Sequence, residues 1–260
     1  DGTTITGGRV GRCQTFILRK PLFKRLFFIF ICQMLSNQKQ NLLIAESNAQ
    51  NLFKEIENRG LLTHGKYEKD LNSEIFDLAL EMYGIKKYWH KRIVRSGVNT
   101  LKPYNENPEN LLIEKDDILF IDFGPIFDEW EADFGRTYVL GNDKYKIKLK
   151  DDIELGWHDC KKYFKSHSKI TGAELYDYAF ESAKKYGWEF GGEIAGHLIG
   201  HFPHERLDKE DKRNYVHPQN NIDMFQPDQS GNKRDWILEI HYVDKVKKIG
   251  GFFEQLLTVE

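Results

Sequence analysis

Cysteine is scarce. Cys13, Cys32 and Cys160 are the only three, they are scattered, and no Cys-x-x-Cys pair occurs. That argues against both a disulfide framework and a thiolate zinc site. Proline is sparse too, with 7 residues, and the 21 glycines follow no three-residue period, which excludes collagen-like and low-complexity chains. Neither sign of charge dominates: 38 Lys+Arg face 40 Asp+Glu, a net of −2, so no global basic field points to nucleic acid. Long apolar runs are missing as well. The longest near the start, Leu26 to Cys32, has seven residues, where a membrane-spanning helix needs roughly 18–20. What is present is a length of 260 residues with 13% aromatics, 18 of them Phe. Such a chain can bury a sizeable core without disulfides or structural metal.

The charge is unevenly spread. Residues 1–33 carry Arg9, Arg12, Arg19, Lys20, Lys24 and Arg25 against Asp1, giving +5, so the rest carries −7. A basic flank before an apolar run has the outline of a signal peptide, but no small-residue cleavage site follows. We therefore expect residues 1–33 to be an N-terminal extension outside the fold, disordered or artefactual, and 34–260 to be the domain.

Along that domain the hydrophobic period alternates. Leu42, Ala45, Ala49, Leu52 and Ile56 make one stripe of a helix over Gln38 to Arg59, stopped by Gly60. Leu71, Ile75, Leu78 and Met82 make another over Glu68 to Tyr83, stopped by Gly84. Strands are predicted at Arg92 to Ser96, Ile118 to Phe123 and Arg136 to Leu140. The second half repeats the plan. A charged helix is expected over 144–167, and a capping box Thr171-Gly-Ala-Glu174 opens another that runs to about Tyr186. Strands follow at Trp236 to Val243 and Phe252 to Val259. Two rounds of helices followed by strands predict an α+β domain with internal pseudo-twofold symmetry. The polar segment 203–233, with Pro203, Pro218 and Pro227, reads as a long surface loop.

Carboxylates stand where apolar strands should have none. Asp122 sits in Leu119-Phe-Ile-Asp-Phe123, Glu239 between Leu238 and Ile240, and Glu254 between Phe253 and Gln255; Asp133 lies just before another strand. Burying an isolated ionised carboxylate is very costly, so each must be paired, protonated or bound to a cation. Any one of them is explained by a turn or a wet strand face, but the set strains that explanation. Oxygen-rich sets suit hard or borderline divalent metals. The glycine-rich run Gly196-His-Leu-Ile-Gly-His-Phe-Pro-His-Glu205 adds three histidines. Its glycines argue against an HExxH zinc helix. One imidazole could ligate metal and another could donate to a substrate oxygen. His201 is read as a solvated loop histidine.

In this order the motifs resemble the pita-bread metallopeptidases: methionine aminopeptidase, aminopeptidase P, prolidase and creatinase. Ile121-Asp-Phe-Gly and Asp133-Phe-Gly-Arg-Thr-Tyr resemble the family's two-Asp motif. Gly196-His-Leu-Ile-Gly and Pro203-His-Glu resemble its His motif, and Trp236-Ile-Leu-Glu239 and Gly250-Gly-Phe-Phe-Glu254 its two Glu motifs. The resemblance implies a curved antiparallel sheet flanked by helices. It implies two divalent metal ions held by Asp122, Asp133, His197, Glu239 and Glu254, with Asp133 and Glu254 bridging; four carboxylates and one imidazole make an oxygen-biased set, for which manganese is expected ahead of cobalt or zinc. It implies hydrolysis of an N-terminal peptide bond by a metal-bridged hydroxide, with Glu239 relaying the proton and His204 bonded to the scissile carbonyl.

Arg92-Ile-Val-Arg-Ser-Gly-Val-Asn-Thr-Leu-Lys-Pro-Tyr104 resembles the aminopeptidase P and prolidase branch, which implies cleavage before proline. That branch has a substrate-contacting His where this chain has Tyr104, a residue that can donate one hydrogen bond but carries protons poorly near neutrality. The expected partners are short peptides or polypeptide N-termini, with neither nucleic acid nor membrane, a homodimer being compatible, in the cytoplasm. Two other functions compete. A catalytically silent peptide- or protein-binding module on this fold would be expected to have lost several ligands, and all five are here. A creatinase-like amidinohydrolase is separated only by its substrates.

Overall fold

The computed structural model describes residues 20–203, 211–228 and 231–259, with 20–36 described by their backbone alone. Backbone packing divides the chain into two units, Asp1–Asn37 and Gln38–Glu260. The sheet, the cores and the site all belong to the second. Of the expected extension 1–33, residues 1–19 lie outside those described.

Among the described residues, four helices and nine strands alternate much as the hydrophobic periods predict. Helix α1 spans Lys20–Asn58, beginning well before the predicted Gln38, and α2 spans Glu68–Tyr83 as predicted. Gly84 ends α2 in the left-handed region at φ 68°, which a residue with a Cβ adopts only under strain. Strands β1 (Ile93–Ser96), β2 (Ile118–Phe123), β3 (Ile126–Phe127), β4 (Trp130–Glu131) and β5 (Phe134–Val139) complete the first half. The second half supplies α3 (Lys144–Lys165), α4 (Gly172–Tyr186), β6 (Glu189–Phe190), β7 (Leu198–Ile199), β8 (Asp235–Asp244) and β9 (Ile249–Leu256). The capping box on α4 forms as read. The Glu174 amide donates to Thr171 Oγ1 at 3.1 Å, and the Thr171 amide donates to Glu174 Oε2 at 2.8 Å.

The main sheet runs β1-β2-β5-β9-β8-β6, with β7 also on β8, every pair antiparallel. Each half has its own core. One packs Leu52, Ile56, Leu71 and Ile75 of α1 and α2 against Leu119, Ile121 and Phe134. The other packs Trp157, Leu175 and Ala179 of α3 and α4 against Leu238, Ile240 and Phe253. Each fully buried Leu or Ile contributes about 1.5–3 kcal/mol. The sheet is thus covered by one helix pair from each half, and β5 meets β9 where the halves join.

The segment 203–233 is more built than its polarity predicts. Val216, Asn220 and Met224 are buried, and Lys212–Asn214 forms a 3₁₀ turn. The Met224 carbonyl accepts from Trp236 Nε1 at 3.0 Å, and Asn220 Nδ2 donates to the Tyr215 carbonyl at 2.8 Å. Single apolar residues separated by polar ones carry no period, so this anchoring leaves no pattern in the sequence. Residues 204–210, 229 and 230 lie outside those described.

Candidate metal centre

Strand register brings the carboxylates together. Asp122 pairs with Gly135, Gly135 with Glu254, and Glu254 with Glu239. Directly paired residues face the same side of a sheet. Asp122, Glu254 and Glu239 therefore stand in one row across β2, β9 and β8, with a side-chain gap at Gly135. Asp133, two residues before Gly135, returns to that face. Asp122, Asp133 and Glu254 are buried, whereas Glu239 is half-buried. Like charges directly opposed across strands are destabilising, so a row of acids with no cation would be costly to ionise.

Two histidines complete the cluster. His197 reaches it because Gly196 lets the chain lie against β8: the Ile237 amide donates to the His197 carbonyl at 2.8 Å and the Glu239 amide to the Ala195 carbonyl at 3.1 Å. Gly196 has φ 141°, and a Cβ there would lie 2.1 Å from the Ile237 carbonyl oxygen. Its glycine is required by backbone approach as well as by conformation. His197 Nε2 lies 3.0 Å from Asp133 Oδ2 and 3.7 Å from Glu254 Oε1.

The second histidine, His90, was not singled out by the sequence. Its Nε2 is 3.1 Å from Asp133 Oδ1 and 3.6 Å from Asp122 Oδ1. It comes from the loop before β1, where the Trp89 amide donates to the Gly124 carbonyl at 3.0 Å. Gly124 leaves room for the ring, since a Cβ there would sit 2.1 Å from His90 Cδ2. The antiparallel pairing of β1 with β2 was the signal that could have found it: Ile93 faces Asp122, so residues just before Ile93 run out past Asp122.

Trp89 lies edge-on to both imidazoles, with ring centroids 4.5 Å from His90 and 5.1 Å from His197. Its Nε1 donates to the Ala132 carbonyl at 3.0 Å.

The electrostatics follow from this crowding. Burial, against the pull of His90, pushes Asp122 up to about 7. Burial raises Glu239. Burial, with Asp133, Asp122 and Glu239 nearby, lifts Glu254 well above the usual range. Burial would also raise Asp133, but the charge of His90 and the hydrogen bonds from His197 and His90 outweigh it and hold Asp133 down to about 2. Burial disfavours both imidazolium ions, yet their carboxylate neighbours raise His90 and His197 to about 9. Asp122 Oδ1 and Glu254 Oε2 are buried with no hydrogen-bond partner. Orphaned buried carboxylate oxygens in a cluster of acids and imidazoles are the donor set a divalent cation satisfies. Among the described residues, two groups of donors fit one ion each: His90, Asp122 and Asp133, and Asp133, His197 and Glu254.

Tyr104 stands at the rim. It is half exposed, its ring centroid is 5.9 Å from that of His90, and its hydroxyl accepts from the Lys91 amide at 3.4 Å. Its loop is tethered from below, because Arg95 donates to the carbonyls of Lys102, Pro103 and Glu106. His201 is exposed beside Trp130 and joins neither donor group. His204 lies outside the described residues.

Acids and imidazoles thus converge on one face of an antiparallel sheet covered by two helix pairs. Residues 40–229 match metallopeptidase family M24, and the chain belongs to that family. It is 28% identical over 142 residues to the Xaa-Pro dipeptidase of Pyrococcus furiosus, covering 54% of this chain and 38% of that protein. The Xaa-Pro dipeptidase of Pyrococcus horikoshii is 28% identical over 141 residues, with the same coverage. The chain thus spans about two-fifths of the length of these curated relatives. Among solved structures, a dipeptidase from Pyrococcus horikoshii superposes with a TM-score of 0.64 at 23% identity, covering 83% of this chain and 55% of that one. An X-Pro aminopeptidase from Thermotoga maritima gives 0.67 at 17% identity, covering 86% and 62%. The fold is the pita-bread fold. The family match includes Asp122, Asp133 and His197 and stops short of Glu239 and Glu254, which join the site through strand register.

Proposed function

We propose that this chain is the catalytic domain of a dinuclear metallopeptidase that removes the residue preceding a proline at a peptide N-terminus. The observation that carries this reading is the row of Asp122, Glu254 and Glu239 across three strands, closed by Asp133 and His197. These five residues would hold two divalent ions, manganese being the best fit to an oxygen-biased set, with cobalt or zinc as alternatives. Bound there, such ions would acidify an attacking water and polarise the scissile carbonyl. The residues of the chain supply the rest. Glu239 is the least enclosed of the four carboxylates, so it accepts the proton of the attacking water and returns it to the leaving amine. Tyr104, at the rim, positions the substrate by a hydrogen bond. His204 serves as the donor to the carbonyl oxygen. The prolyl preference is supported by the Xaa-Pro relatives and by the stretch from Arg92 to Tyr104.

A peptide screen tests this. Chelator-stripped protein is reloaded with manganese, cobalt or zinc and offered Ala-Pro, longer peptides beginning Ala-Pro, and the same peptides with alanine second. The expected result is cleavage of the prolyl set that requires metal. Equal cleavage of the alanine set, or full activity in demonstrably metal-free protein, overturns the proposal.

A further inference from the structure

We infer that His90 is a metal ligand, the counterpart of His197, so that each of the two ions receives one imidazole and Asp133 joins them with one oxygen apiece. This rests on the metal-binding reading above and adds to its ligand set a residue outside the five.

The geometry is that of two matched half-sites. His90 Nε2 faces Asp133 Oδ1 at 3.1 Å and Asp122 Oδ1 at 3.6 Å. His197 Nε2 faces Asp133 Oδ2 at 3.0 Å and Glu254 Oε1 at 3.7 Å. Donor atoms bonded to one ion at about 2.0–2.2 Å, with angles of about 90–120° between them, stand roughly 3–3.8 Å apart. All four imidazole–carboxylate distances fall in that range, and the donor atoms of each triplet lie within 4.8 Å of one another. Asp133 divides its two oxygens between the two rings, as a bridging carboxylate does.

The tautomers match as well. His90 Nδ1 is 2.8 Å from the Lys91 carbonyl, and His197 Nδ1 is 2.8 Å from the Leu198 carbonyl, in each case that of the next residue. A carbonyl only accepts, so Nδ1 carries the proton in both rings. Nε2 is the nitrogen aimed at the acids, where it donates to Asp133 in the metal-free chain, and it becomes the coordinating nitrogen when an ion displaces that proton. The aim is fixed for both: Trp89 braces both rings edge-on, and Gly124 provides the space that the His90 ring fills. A histidine placed only to neutralise buried acids needs none of this matching of tautomer, distance and brace.

The test counts ligated imidazoles directly. The full 260-residue chain is loaded with cobalt(II), and its proton NMR spectrum is recorded in H₂O and in D₂O. A paramagnetic ion shifts the Nδ1–H of each coordinated histidine far downfield, and the signal disappears in D₂O. We expect two such resonances. One is lost in His90→Gln and the other in His197→Gln, and calorimetry shows at least about tenfold weaker binding of one ion in His90→Gln. A single resonance in the wild-type chain, absent only from His197→Gln, overturns the inference while leaving the metal site standing. No shifted resonance and no cobalt uptake overturns the underlying metal reading. The wild-type count decides the matter even if His90→Gln does not fold.

Discussion

The two donor clusters are chemically alike and arise from unlike pieces of chain. In the cluster of His197, Asp133 and Glu254 each residue belongs to a recognisable motif, and two of the three come from the second half or its last strand. In the cluster of His90, Asp122 and Asp133 all three come from the first half, and the imidazole lies in a loop. An acid in an apolar strand is conspicuous because burial without a partner is so unfavourable. A histidine in a polar loop is commonplace, and only the pairing of β1 with β2 shows that it faces Asp122.

The largest effect is expected at Glu239, half-buried beside Glu254. Glu239→Gln should reduce turnover by roughly a hundredfold or more, because the proton relay is lost. Its stability should move the other way. Burial raises Glu239, so its ionised form opposes folding and the penalty grows as pH rises through the unfolded-state value toward the folded one. Without metal at pH 7, Glu239→Gln should melt no lower than wild type. Equal turnover with a lower melting temperature would make Glu239 a structural strand residue.

Breaking one cluster through its backbone comes next. Gly196→Ala places a Cβ against the Ile237 carbonyl oxygen at φ 141°, where no side chain can yield. A cost of about 1–3 kcal/mol is expected. That corresponds to a melting temperature lower by roughly 2–12 °C for a domain of this size, with weaker metal uptake. An unchanged melt would show that the chain at Gly196 does not lie against β8.

The smallest effect belongs to Tyr104, at the rim on the His90 side. Tyr104→Phe removes one hydrogen bond to a neutral group, worth about 0.5–1.5 kcal/mol, or roughly a threefold to tenfold loss in kcat/KM on a prolyl peptide. A hundredfold loss would make it an essential acid. No loss would place it away from the substrate.

Much of this fold is already written in residue type and spacing. The bounds of α2 follow from its apolar period and Gly84, and those of β2 from a continuous apolar run between Asp117 and Gly124. β6 and β7 do not, since two-residue strands have no period; they exist because β8 offers them an edge. Val216 and Met224 were hidden by polar neighbours. In the site, the strand acids and His197 were readable from residue type and spacing. His90, Trp89 and the matched tautomers were not, because they depend on distances set across strands.

If the buried row of acids and imidazoles is a divalent-cation site, a calorimetric titration of chelator-stripped protein with manganese or cobalt at several pH values will show it. Asp122 is raised to about 7, Glu239 and Glu254 are raised, and His90 and His197 are raised to about 9, so these groups hold protons that a metal must displace. Binding should therefore release protons to the buffer, and affinity should tighten as pH rises from about 6 to about 9. Two ions bound per chain with that pH dependence is the predicted result. No binding, or binding indifferent to pH and to substitution of Asp133, would contradict it.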